Sequence, residues 1–167
     1  MFIYKLVYRN GSLIAVLSKK SKYGLKALLV LAKEGGSRPM LVADLAASEA
    51  LPKKFLEAIL LELKRHRIVD SRKGRGGGYF LRRKPAEVTF GEVIRALDGP
   101  LAAVPCVSQT AYMPCAECLD EQTCGVRFAM KEVRDATARI LERTTLASVN
   151  AAVAGSKRRT GARRKTS

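Results

Sequence analysis

Apolar positions recur at helical spacing through the first half of the chain. Tyr23, Ala27, Val30 and Leu31 fall on one face of a helix that Ser18 can cap and Gly35-Gly36 can end. Val42, Leu45 and Ala46 predict a short helix over Val42–Ser48. Beyond Pro52, a residue suited to a first helical turn, Leu56, Ile59, Leu60 and Leu63 repeat with the i, i+3, i+4, i+7 spacing of a core-facing helix that runs to about His66. The other face of that helix offers Lys53, Lys54, Glu57 and Lys64. A short helix, a tight link and a second helix with a polar start form the pattern of a helix-turn-helix, whose second helix lies in the major groove with its N-terminal residues nearest the base edges. The period then changes. Ile68-Val69-Asp70-Ser71 and Tyr79-Phe80-Leu81-Arg82 read as strands around the basic, glycine-rich turn Arg72-Lys73-Gly74-Arg75-Gly76-Gly77-Gly78. Glycines permit positive φ there, and the interleaved Arg and Lys can reach phosphates or a minor groove. The glycines lack the spacing of a nucleotide phosphate loop, and no helix opens directly after them. A helix-turn-helix followed by a basic hairpin is a winged helix.

The second half is patterned differently. Thr89-Phe90-Gly91-Glu92 fits a capping box opening a helix through Val93, Ile94 and Leu97, which Asp98-Gly99-Pro100 stops. From Val126 onward, Val126, Met130, Val133, Thr137, Ile140, Thr144 and Ala147 alternate steps of four and three, the seam of a heptad repeat. Little chain remains for such a seam to pack on, so the expectation is a dimerisation helix facing a second copy. A twofold dimer also sets two recognition helices on successive turns of a palindromic operator. The ends look separate from both halves. Residues 1–16 read as an extra hairpin about Asn10-Gly11, or as sequence upstream of a true start near Val16; the charges inside their apolar stretch argue against a secretory signal. Residues 153–167 are expected to form a disordered basic tail. The expected organisation is therefore an extension (1–16), a winged helix-turn-helix domain (17–85), a linker helix with a cysteine-rich loop (86–125), a dimerisation helix (126–152) and the tail. The fold class is mainly α with a small β-hairpin wing.

Charge sharpens this division. The 167 residues carry a net +16, yet residues 18–85 hold 17 basic and 6 acidic side chains while residues 86–150 hold 6 basic and 9 acidic. A basic front part points to a polyanion, nucleic acid or an acidic membrane surface. No apolar run approaches the roughly 20 residues of a membrane span. Double-stranded DNA is the expected partner, with no membrane, in a cytoplasmic protein.

All four cysteines fall within 19 residues, Cys106, Cys115, Cys118 and Cys124, spaced C-x8-C-x2-C-x5-C. Nothing suggests an oxidising compartment, which disfavours two structural disulfides. Four thiolates on one loop suit an iron–sulfur cluster (2Fe-2S or 4Fe-4S) or zinc; a set of reduced thiols without metal is the remaining reading. Only one C-x-x-C knuckle is present where a zinc ribbon pairs two. The single histidine, His66, falls at a helix end, where capping suits it better than catalysis. No nucleophile with a positioned base and no nucleotide motif is evident, so the chain is not expected to be an enzyme.

These residues resemble the IscR/NsrR-type winged-helix regulators of bacteria, the Rrf-two family. The likeness lies in Leu17–Leu28, Lys54-Phe55-Leu56-Glu57, Gly74–Leu81 with its Gly-Gly-Gly-Tyr centre, Val88–Ile94 with Asp98-Gly99, and Thr144-Thr145-Leu146. It spans about residues 17–150. The resemblance implies a dimeric regulator, expected to act as a repressor, whose promoter binding follows the state of a cluster on cysteines between wing and dimer helix. It implies base and backbone contacts from Lys53, Lys54, Phe55 and Glu57, and wing contacts from Arg72, Lys73 and Arg75. Cys106 and Cys124 match the first and last cluster ligands by position, with Cys115 or Cys118 between. The chain departs from the IscR pattern in its fourth cysteine and in Arg127, which stands where that pattern has a histidine. A four-cysteine set needs no histidine.

Overall fold

A computed structural model describes residues 17–163 of the chain, with side chains through residue 156. The expectations for residues 1–16 and 164–167 lie outside the described residues. Among them are six helices, one 3-10 turn and one two-stranded sheet.

Helix α1 (Lys19–Lys33) starts where the Ser18 hydroxyl accepts the Ser21 N–H at 3.0 Å, and it ends at Gly35 and Gly36, with φ of 76° and 81°. Helix α2 (Val42–Ser48) has the expected bounds. It turns into α3 (Lys53–Arg65) through Ala50, a non-glycine residue at φ 52°, while the Leu51 N–H reaches back to the Ala46 carbonyl at 2.8 Å. Pro52 is the N-cap of α3 rather than its first helical residue. Leu56, Ile59, Leu60 and Leu63 are all buried, as their spacing requires. Helix α1 passes closely over this face: a Cβ on Gly24 would lie 2.5 Å from Leu97 Cδ1 and 3.2 Å from Ile59. One core gathers Leu28, Leu31, Leu45, Leu56, Leu60, Leu63, Ile68, Val88 and Val93.

Strands β1 (Val69–Arg72) and β2 (Gly78–Leu81) pair antiparallel, with Val69 opposite Leu81 and Arg72 opposite Gly78. The hairpin is not held by α3 alone. Met40 and Tyr79 exchange backbone hydrogen bonds of 2.8 and 2.9 Å, so the wing is pinned to the chain just before α2. That pairing requires glycine at 78: a Cβ there would sit 2.2 Å from the Met40 carbonyl oxygen.

Helix α4 (Phe90–Asp98) begins with the Thr89 hydroxyl accepting the Glu92 N–H at 3.1 Å. The Glu92 carboxylate pairs with Arg83 instead of closing the box on Thr89. After α4 come the 3-10 turn Pro105–Val107 and the long loop to Cys124.

The single helix expected over 126–152 is two helices. Helix α5 (Gly125–Arg143) stops at Thr144, and α6 (Leu146–Arg163) starts afresh. Thr145 and Ser148 cap the new start reciprocally, each side-chain oxygen accepting the other's N–H at 3.0–3.1 Å. The break is also pulled from outside: the Phe90 N–H bonds the Thr144 carbonyl at 2.8 Å and the Leu146 N–H bonds the Val88 carbonyl at 3.1 Å. Leu146 is thereby fully buried in the winged-helix core. Helix α6 folds back on α1, where Asn150 Nδ2 donates to the Leu29 carbonyl at 3.0 Å. Ala147, placed last in the heptad seam by its spacing, belongs to α6 instead, where its N–H bonds the Pro85 carbonyl at 3.2 Å. The backbone stays helical through Arg163, which corrects the expectation of disorder over 153–163; the alanine-rich run Ala151-Ala152-Val153-Ala154 extends a helix already capped and docked.

Candidate nucleic-acid interface and cysteine site

The positions assigned to DNA contact are all exposed. Lys53, Lys54, Phe55 and Glu57 occupy the first turns of α3, and no side chain caps that helix N-terminus. Phe55 is 40% exposed, with its ring edge-on to Tyr23 of α1, centroids 5.8 Å apart, so it is half committed to the fold. Glu57 lies 4.0 Å from Lys53 Nζ, one turn away. Arg72, Lys73 and Arg75 stand on the wing turn, which the Gly77 N–H closes on the Gly74 carbonyl at 2.9 Å. Wing and recognition helix are joined: the Ile68 N–H bonds the Leu63 carbonyl at 3.0 Å, and Lys64 meets Asp70 at 3.1 Å.

The distribution of ion pairs separates two kinds of basic residue. Lys20 pairs with Glu62 at 2.7 Å, Lys26 with Glu49 at 3.0 Å and Arg38 with Glu34 at 3.2 Å. Lys64, which the sequence places on the polar face of α3, is drawn away to Asp70 and the Ser71 hydroxyl. The Ser71 amide and then the Lys64 ammonium hold the Asp70 carboxyl below the usual carboxylate range. Lys54, Arg72, Lys73 and Arg75 have no carboxylate partner among the described residues. The acids of the basic front part thus neutralise its flanks and leave the wing and the start of α3 charged.

The cysteines line one cavity of about 550 Å³ with Met113, Val126 and Arg127. Cys106 is buried in the 3-10 turn. The Cys118 N–H reaches the Cys115 carbonyl at 3.4 Å, and the Cys118 thiol donates to Cys124 Sγ at 3.6 Å. Cys124 is also the N-cap of α5, its sulfur accepting the Arg127 N–H at 3.5 Å. That amide, followed by the Cys118 thiol, lowers the Cys124 pKa. Cys118, hydrogen-bonded to Cys124 and then to Cys115, is pushed up to about 12. Around them the Tyr112 hydroxyl donates to Glu121 at 2.9 Å, and Glu121 lies 3.5 Å from Arg127 Nε. The Glu121 carboxylate, by accepting that bond, raises the Tyr112 pKa. All four sulfurs are soft donors on one wall system, which suits a cluster or zinc in chemistry. Among the described residues no three ligand-type side chains converge on a point at metal-binding distance; the thiols bond one another instead. His66 caps the end of α3, away from this loop in the sequence.

Along α5, Val126, Val133 and Ile140 are 65%, 49% and 64% exposed, while Met130, Thr137 and Thr144 are half-buried. The same helix hides Arg134, its one buried residue, which no sequence pattern marked. Also unmarked were the Tyr112–Glu121–Arg127 network and the capping role of Cys124. A cysteine one residue before a helical run is a weak cap signal, because sulfur is a poor acceptor.

Comparison with known proteins gives this geometry a context. A family model described as Rrf2, iron-dependent transcriptional regulator, matches residues 17–152. An rrf2-like HTH-type transcriptional regulator of Rhodobacter capsulatus is 42% identical over 121 residues, 71% of this chain and 81% of the relative. The HTH-type transcriptional regulator NsrR of Geobacillus kaustophilus is 30% identical over 133 residues, 80% of this chain and 88% of the relative. The solved structure of CymR, the global cysteine regulator of Bacillus subtilis, superposes with a TM-score of 0.68 at 28% identity, covering 83% of this chain and 98% of that one. These relatives are regulators and not enzymes, in line with the sequence reading. No helix among the described residues is long and apolar enough to cross a membrane. A winged helix with a charged wing and recognition-helix start, matched by a family model over nearly its whole described length, places the chain in the Rrf2 family of DNA-binding transcriptional regulators.

Proposed function

We propose that the protein is a dimeric, cytoplasmic repressor whose grip on a palindromic operator follows the state of its four-cysteine loop. One observation carries the proposal: Cys124 is both a member of the thiol set and the N-cap of α5. Whatever engages that sulfur competes with the Arg127 N–H for it, and so acts on the start of the helix that bears the exposed apolar seam.

On this reading Lys53, Lys54, Arg72, Lys73 and Arg75 meet phosphates or base edges, and Glu57 accepts from cytosine. Phe55, braced by Tyr23, fixes the depth of α3 in the groove. Val126, Met130, Val133, Thr137, Ile140 and Thr144 face the second copy. Cys106, Cys115, Cys118 and Cys124 hold an iron–sulfur cluster, which when bound supplies sensitivity to iron, oxygen or nitric oxide. Arg127 offers positive charge beside the anionic sulfurs. The relatives named NsrR and IscR support the cluster reading.

The Cys118–Cys124 contact favours a second, cluster-free reading. Hydrogen peroxide would accept two electrons from the pair: the Cys124 sulfur, whose pKa is lowered, attacks one oxygen and releases water, and the Cys118 sulfur then displaces the sulfenic hydroxyl as a second water, leaving a disulfide. Anaerobic purification followed by a visible spectrum and iron, sulfide and zinc analysis separates the two. Iron and sulfide in matching amounts, with operator binding that changes when they are removed, support the cluster; a colourless, metal-free protein from anaerobic cells overturns it and leaves the thiol pair.

A further inference from the structure

We infer that Ala58 and Leu61, in the middle of α3, read thymine methyl groups in the major groove and so help set the operator sequence. Helix α3 turns Leu56, Ile59, Leu60 and Leu63 into the core. At roughly 100° per residue, the positions diametrically opposite that face are Lys54, Ala58, Leu61 and Arg65. All four are exposed, Leu61 at 48%. Neither Ala58 nor Leu61 belongs to the core cluster or packs against it. The flanks of the helix are already engaged. Phe55 leans on Tyr23, Glu57 lies toward Lys53, and Glu62 and Lys64 are tied to Lys20 and Asp70. The outermost stripe therefore runs from a cation through two apolar side chains to a second cation. Lys54 and Arg65 have no carboxylate partner among the described residues.

A single exposed leucine needs no explanation on an ordinary surface. This one lies on the face that a winged helix turns to DNA, beside an exposed alanine and between two unpaired cations. Neither side chain can donate or accept a hydrogen bond. Set against the polar edges of guanine, adenine or cytosine, they displace water and return nothing. The C5 methyl of thymine is the one apolar group that the four bases present in the major groove. Ala58 and Leu61 are about 4.5 Å apart along the helix axis, close to the roughly 3.4 Å between stacked bases, so they meet neighbouring base pairs. Lys54 and Arg65 then take phosphates or guanine at either end of the stripe. The inference deepens the proposed function and rests on α3 being the helix that enters the groove.

The experiment lets the full chain select its own operator from a random duplex library. Each thymine of that operator is then replaced in turn by deoxyuridine, which removes the methyl and keeps every hydrogen-bonding group. Fluorescence anisotropy reads the affinities. At one or more thymines in each half-site, deoxyuridine should weaken the wild type about fourfold, the worth of one buried methyl. At one of these positions Leu61→Ala should bind the two duplexes equally, and Leu61→Met, which keeps a long apolar side chain, should restore the difference. Lys54→Ala should weaken both duplexes alike and leave their ratio unchanged. If Leu61→Ala lowers affinity without moving the ratio at any thymine, the residue has a structural role and the proposal is overturned. A wild type indifferent to deoxyuridine throughout, or a selected operator without thymine in its half-sites, overturns it as well. Where Lys54→Ala and Arg75→Ala still lower affinity in those cases, α3 and the wing remain the DNA-binding surface and only the methyl reading falls. A library that yields no enriched sequence removes the groove reading together with it.

Discussion

Helices α3 and α5 carry similar apolar periodicity and meet opposite fates. Along α3, the 13 residues put Leu56, Ile59, Leu60 and Leu63 fully into the core. Along α5, 19 residues bury one side chain, an arginine, and leave Val126, Val133 and Ile140 largely in solvent. The same pattern is satisfied within the chain in one case and left open in the other. Periodicity thus announces a packing face without saying whose atoms it meets. The winged helix, with α4 and Leu146 of α6, closes one core, whereas α5 keeps an exposed apolar face.

The largest effect expected from this contrast is on stability. Leu60→Ala should cost about 2–5 kcal/mol in denaturant unfolding, because the cavity it leaves is enclosed on all sides. Val133→Ala, measured at a concentration where the protein is monomeric, should stay within about 0.5 kcal/mol of the wild type. Equal losses at the two positions would erase the distinction between the helices.

Next is the open face itself. Ile140→Asp should raise the dimer dissociation constant at least tenfold, about 1.4 kcal/mol, in sedimentation velocity, while far-UV dichroism of the dilute protein stays unchanged. If the variant sediments as the wild type does, α5 is not the interface and its exposed apolar residues serve another partner.

The junction of the regions gives a smaller effect. Thr145→Ala removes the hydroxyl that accepts the Ser148 N–H and should cost about 1 kcal/mol, the usual worth of an N-cap, by thermal or denaturant unfolding. This position also shows what the sequence concealed. Ser18, Gly35-Gly36, Thr89 and the bounds of α2 were legible because each is a local signal, a cap or a left-handed residue acting within one turn. Thr145-x-x-Ser148 is a signal of the same class, but the heptad steps run straight through it. What settles the break is non-local: the Phe90 amide donates to the Thr144 carbonyl, and the Leu146 amide donates to the Val88 carbonyl, both across more than fifty residues of sequence. Met40 was hidden for the same reason, since its pairing with Tyr79 spans a helix-turn-helix. In the candidate sites, the cysteine set and the wing arginines could be picked out from residue type and spacing. Arg134 could not, because a polar residue on a polar stripe gives no hint that a loop will cover it.

On the DNA side, Arg75→Ala should weaken operator binding severalfold and lower the salt slope by about one unit, since one phosphate neutralisation is lost. Lys26→Ala, whose ammonium is already paired with Glu49, should leave that slope nearly unchanged. Fluorescence anisotropy across a salt series reads both. Similar slopes for the two variants would mean that the division between paired flanks and unpaired wing does not define the interface.

The smallest effect tests how firmly the wing is tied to α3. Asp70 is half-buried, and its lowered pKa comes first from the Ser71 amide and then from Lys64. A carboxyl whose folded pKa lies below its unfolded value adds stability that is fully present above the unfolded value, near 3.8, and is lost as pH falls through the folded one. Asp70→Asn should therefore be slightly less stable than the wild type at neutral pH, and the gap should close below the ordinary carboxylate range as the wild type itself becomes protonated. Denaturant titrations at neutral pH and at stepped acidic pH values follow the gap directly. A difference that persists unchanged into acid would show that Asp70 contributes through the shape of the strand and not through its charge. The link between Lys64 and the wing would then be incidental, and the hairpin would owe its position to its backbone bonds, Met40 with Tyr79, Leu81 to Gly36 and Ile68 to Leu63, and to the burial of Val69 and Leu81.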